Sequence, residues 1–88
     1  MIMKRKDSFV EEKVGEFFYI YPIGENIDGK IFSMNDTCKY VWDLLEKDQT
    51  ESQIIEAVAS YYGVESEMVS EDIKEILSQM CIAGVIEM

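Results

Sequence analysis

Met34-Asn35-Asp36-Thr37-Cys38-Lys39-Tyr40-Val41-Trp42-Asp43-Leu44-Leu45 is the stretch on which the fold turns. Its polar opening suits a helix start, because Asn35 or Asp36 can accept a hydrogen bond from the free N–H groups of a first turn. From there Cys38, Val41, Trp42 and Leu45 recur at three- and four-residue spacing and define the apolar stripe of an amphipathic helix. Lys47-Asp48-Gln49 interrupts the stripe and ends that element.

Upstream the signal changes to strands. The segment from Phe9 to Val14 alternates weakly, and Gly15-Glu16 reads as a tight turn. Phe17-Phe18-Tyr19-Ile20-Tyr21 follows, an aromatic and β-branched run closed by Pro22. That run is apolar on both faces and too short for a helix, which predicts a covered or central strand. Gly24, Asn26, Asp28 and Gly29 mark a turn, and Lys30, Ile31, Phe32, Ser33 and Met34 form a third short strand. Three strands in a meander is the expected arrangement.

Downstream, Thr50 with Gln53 three residues later is a capping box opening a second helix. Its stripe is Ile54, Ala57, Val58 and Tyr61, and Gly63 is a left-handed stop. Ser66 is the best cap for a third helix, in which Val69, Ile73, Ile76, Leu77 and Met80 give the strongest helical periodicity of the chain. Gly84 ends it, and Val85-Ile86 suggests a short terminal strand. These elements predict an α+β, winged-helix-like fold, with a three-stranded antiparallel sheet followed by a three-helix bundle. The expected organisation is a single domain over residues 1–88, with residues 1–7 as a candidate disordered tail.

The 88 residues hold 18 Asp and Glu against 8 Lys and Arg, a formal net charge of −10. That field repels phosphate backbones and favours basic partners, so nucleic acid is not an expected ligand. No apolar run reaches the roughly 20 residues that span a bilayer, and the basic Lys4-Arg5-Lys6 is followed by no signal-peptide core, so membrane association is not expected either. Cys38 and Cys81 are far apart in sequence, which fits reduced thiols and a cytoplasmic location.

Catalytic chemistry finds little footing. Histidine is absent, no metal-ligand cluster appears, and the five glycines follow no nucleotide-binding spacing. Glu11 and Glu12 are adjacent on a strand and point to opposite sides. Cys38 lies near a helix start, where a thiolate could be activated, but its place on the inward stripe favours a buried structural thiol. The expectation is a binding protein without enzymatic activity, cofactor or metal.

The stretch from Met34 to Leu45 also resembles the Leu-Asn-x-Thr-Gly-x-x-Ile-Trp-x-Leu-Leu pattern of the PqqD-like family, the recognition elements of ribosomal peptide natural product biosynthesis. The likeness continues through Thr50, Ile54 and Ile55 and into Ala83-Gly84-Val85-Ile86. Cys38 stands where that family usually has Gly, and Lys47-Asp48 replaces the usual Asp-Gly. The resemblance implies a domain that binds the leader segment of a precursor peptide and presents it, chaperone-like, to a modifying enzyme, often a radical SAM maturase. It implies strand addition to residues 30–34, with Asp72, Glu75, Ile76 and Gln79 of the third helix as the other wall. Asp72 and Glu75 would suit a leader carrying Lys or Arg. A monomer or weak homodimer is expected, and a winged-helix transcriptional regulator binding DNA is the alternative.

Overall fold

The computed structural model describes residues 2–22 and 31–87. The turn residues Gly24, Asn26, Asp28 and Gly29, and Lys30 after them, lie outside the described residues.

The meander forms as β2 (Phe9–Val14), β3 (Phe17–Pro22) and β4 (Phe32–Met34), after a short N-terminal strand β1 (Ile2–Arg5). Strand β3 is central and antiparallel to both neighbours, pairing Glu11 with Ile20 on one side and Ile20 with Phe32 on the other. Its aromatic composition fits that position. Ile20 is fully buried, and Phe18 packs against the core from its edge. The third strand is shorter than expected: it begins at Phe32, and Ile31 precedes it as an exposed residue.

Three helices follow, α1 (Asp36–Leu44), α2 (Glu51–Tyr62) and α3 (Ser66–Ala83). Asn35 caps α1, its Oδ1 accepting from the Cys38 N–H at 2.9 Å. The Thr50–Gln53 capping box closes reciprocally, at 3.2 Å to the Thr50 hydroxyl and 2.8 Å to the Gln53 amide oxygen. Gly63 ends α2 at φ +67°, a left-handed conformation that side chains rarely adopt. The start of α3 differs from expectation. Ser66 is the first helical residue, and Glu65 occupies the cap position in extended conformation without a side-chain bond. Acidic residues at this end face the positive pole of the helix dipole and supply a compensating, non-directional stabilisation.

The N-terminal residues are the main correction. Rather than forming a disordered tail, Ile2–Arg5 pairs with β5 (Gln49–Thr50) on one edge and β6 (Ile86–Glu87) on the other. Met3 is buried, and the Arg5 and Lys6 N–H groups donate to the Leu45 and Val85 carbonyls at 2.9 and 3.0 Å. Buried Met3 sits between an exposed Ile2 and the charged Lys4 and Arg5, so a strand is hidden within what reads as a charged terminus.

The core gathers Ile20 and Met34 from the meander, Cys38, Val41, Trp42 and Leu45 from the first helix and its C-cap, Ile54 and Val58 from α2, and Ile73, Leu77 and Met80 from α3. Trp42 meets the Phe9 ring edge-on at 6.4 Å, while the Arg5 guanidinium lies 5.1 Å from the indole centroid. Its indole N–H donates to Glu11 at 3.0 Å. One side chain thereby joins β1, β2 and α1.

Candidate peptide-binding groove

The meander has two outer strands, and they differ in chemistry. Strand β2 carries Glu11, Glu12 and Lys13, charges that guard an edge against unwanted pairing. By contrast β4 reads Phe-Ser-Met and has no charge. Among the described residues β4 pairs only with β3, so its far edge is open. Antiparallel geometry turns the N–H and C=O groups of alternate residues toward such an edge. The Phe32 side chain packs against the core, Ser33 is exposed and Met34 is buried, so β4 is anchored from behind.

Immediately beyond Met34 a groove of about 300 Å³ opens between the start of α1 and the flank of α3. Its walls are Asn35 and Thr37 on one side and Asp72, Glu75, Ile76 and Gln79 on the other. The four α3 residues expected at the site therefore line one hollow. Of the expected strand residues, Phe32, Ser33 and Met34 form β4, Ile31 lies just before it, and Lys30 falls outside the described residues.

Helical spacing explains the composition of the α3 wall. Ile73, Leu77 and Met80 face the core, which rotates Asp72, Glu75 and Gln79 outward and leaves half-buried Ile76 at the groove floor. Neither Asp72 nor Glu75 forms an ion pair among the described residues, since the salt bridges there join Arg5, Lys39, Glu11 and Asp43. The groove thus offers two carboxylates unpaired among the described residues, two side-chain amides and a hydroxyl around an apolar floor.

Asn35 and Thr37 were not among the expected site residues. Asn35 already has a structural task as the α1 cap, and Thr37 shares a 2.8 Å hydrogen bond with the Tyr62 hydroxyl. Their position directly after β4 was the available signal, because any chain following that edge must cross the helix start. A larger hollow of about 430 Å³ on another flank of α3, lined by residues including Met3, Lys74 and Ile82, lies away from β4.

Nucleophilic chemistry has no support at Cys38. The residue is 8% exposed, and burial pushes its thiol from the ordinary 9.0 up to about 11, far from a reactive thiolate at neutral pH. Among the described residues no three His, Cys, Asp or Glu side chains are grouped to hold a metal ion. No helix there is long and apolar enough to cross a membrane.

An uncharged strand edge, unpaired among the described residues, thus lies beside a helix-walled groove. Residues 11–86 match the family of coenzyme PQQ synthesis protein D, PqqD. This chain belongs to that family. The fold is also that of TbiB1 in its complex with the TbiA(β) leader peptide, at a TM-score of 0.74 and 20% identity over 96% of this chain and 94% of that one. No curated protein matches the chain.

Proposed function

We propose that this chain is a peptide-recognition domain, acting as one unit, that takes the leader segment of a ribosomally made precursor as an added strand on β4. It would hold that segment for a separate modifying enzyme, for which a radical SAM maturase is the first candidate, and perform no catalysis itself. The observation that carries the reading is the open, uncharged β4 edge running into the α1–α3 groove. In strand addition the backbone supplies affinity, and alternate side chains entering pockets supply selectivity. Membership in the PqqD family supports this role, as does a fold shared with a protein seen in complex with a leader peptide.

The groove also suggests the chemistry of the ligand. Carboxylates at Asp72 and Glu75, unpaired among the described residues, favour a Lys or Arg on the incoming strand, each exposed ion pair contributing about 0.2–1 kcal/mol. The same carboxylates, with Glu67 and Glu71 exposed on α3, disfavour entry into a DNA groove.

Ile31→Pro tests the edge. It removes a backbone donor at the mouth of β4 without touching the core. In titrations against precursor peptides encoded beside this chain's gene, affinity should fall at least about tenfold, equivalent to about 1.4 kcal/mol, with the melting temperature retained. Unchanged affinity would reject β4 as the docking edge.

A further inference from the structure

Four of the nine large apolar side chains exposed among the described residues fall at one corner. Tyr61 and Tyr62 end α2, Val64 follows in the turn, and Met68 lies in the first turns of α3. Tyr61 is 65% exposed and Met68 70% exposed. Apolar surface gathered in this way marks an interaction site more often than chance decoration. Tyr61 continues the Ile54–Val58 stripe past the last buried residue of α2 and faces solvent there, while Met68 lies off the Ile73–Leu77–Met80 face of α3.

The corner is ordered before anything binds. Tyr61 stacks on Tyr40 with centroids 4.4 Å apart and planes at 22°, and Tyr62 meets Tyr61 edge-on at 5.1 Å. Rings already held by one another lose little freedom when a ligand arrives, and tyrosine is enriched among the residues that dominate binding.

It is also continuous with the groove. Thr37 lines the groove and hydrogen-bonds the Tyr62 hydroxyl at 2.8 Å. Met68, Asp72, Glu75 and Gln79 stand at i, i+4, i+7 and i+11 on α3, so Met68 prolongs the groove wall toward the tyrosines. From Met68 to Gln79 this wall measures about 16 Å, the rise of eleven helical residues. An extended peptide leaving the β4 edge past Met34 crosses Thr37 and meets the corner next.

We propose that the recognition surface extends beyond the groove onto this tyrosine corner, which receives a large aromatic or aliphatic side chain of the same peptide. The proposal rests on the strand-addition reading. The peptide then binds at two points, a strand segment on β4 and an apolar anchor on Tyr61, Tyr62 and Met68. Acidic neighbours Glu65 and Glu67 rim the corner and turn away anionic residues next to the anchor.

The test is selection of randomised peptides of about 16 residues, long enough to span about 50 Å when extended, on the intact chain. Binders are then titrated against the wild type, Tyr61→Ser, Met68→Ser and Ile31→Pro, with melting curves for each variant. Binders should share a large apolar residue at a fixed distance from an alternating segment. Replacing it with Ala should cost about tenfold on the wild type, as for an interface anchor, and under about twofold on Tyr61→Ser or Met68→Ser. An equal loss on wild type and corner variants would overturn the anchor site while Ile31→Pro still reports on the edge. Self-association abolished by Met68→Ser would overturn it in favour of a dimer contact. Failure to select any binder would overturn the strand-addition reading and this extension together.

Discussion

At the scale of single residues, Cys38 and Glu11 show what a sequence conceals and reveals. The inward place of Cys38 is legible from its stripe, and its burial follows. Its elevated thiol pKa has a consequence for stability. The folded value of about 11 exceeds the ordinary 9.0, so the thiol's contribution is complete below pH 9 and is lost as pH rises through 11. A shift of that size corresponds to about 2–3 kcal/mol. Wild-type stability should fall between pH 9 and 11, and Cys38→Ala should flatten that part of the urea-denaturation profile; identical slopes would contradict a buried thiol. Glu11 was legible only as one of two adjacent carboxylates. Its oxygens in fact accept from the Trp42 indole at 3.0 Å and from Lys39 at 2.7 Å. Partial burial opposes the Lys39 charge, but hydrogen bonds to and the charges of Asp43 and Glu11 outweigh it, and the lysine pKa is raised. No local pattern announces a contact across 31 residues of chain.

At the scale of elements, the helices were readable because each carries its own punctuation. Asn35, the Thr50–Gln53 box, Gly63 and Gly84 all act within a few residues of the boundary they set. The meander was readable for the same reason, through Gly15 and the aromatic run. Strand β1 was not, since its partners lie more than 40 residues away, in two-residue strands too short to register as patterns. Its importance is measurable. Met3 is buried in the core, so Met3→Ala should lower unfolding free energy by about 2 kcal/mol or more, whereas a value near zero would mean that the segment is dispensable. The groove was half legible: the family resemblance pointed to the third helix and its spacing to the flank of Asp72, Glu75, Ile76 and Gln79, but Asn35 and Thr37 enter only because β4 ends where α1 begins.

At the scale of the whole molecule, the proposed function gives the net charge of −10 and the local carboxylates separable roles in ligand choice. A diffuse acidic field speeds the encounter with any basic peptide and fades with salt. On the proposed strand-addition reading, Asp72 and Glu75 would act at one position of the bound strand. Converting both to Asn and Gln changes the formal charge from −10 to −8, yet it should erase a preference for Lys or Arg at that single position in selected peptides. Loss spread evenly over all positions would assign the preference to the field instead.

The central claim is that β4 binds its peptide as an added strand. Backbone N-methylation of a bound peptide, one residue at a time, interrogates this directly, because in antiparallel or parallel addition only alternate N–H groups face the neighbouring strand. Isothermal titration of such a series should show affinity losses of about tenfold or more at every second residue and little between them. Losses that are uniform, absent, or spaced three and four residues apart would contradict strand addition on β4.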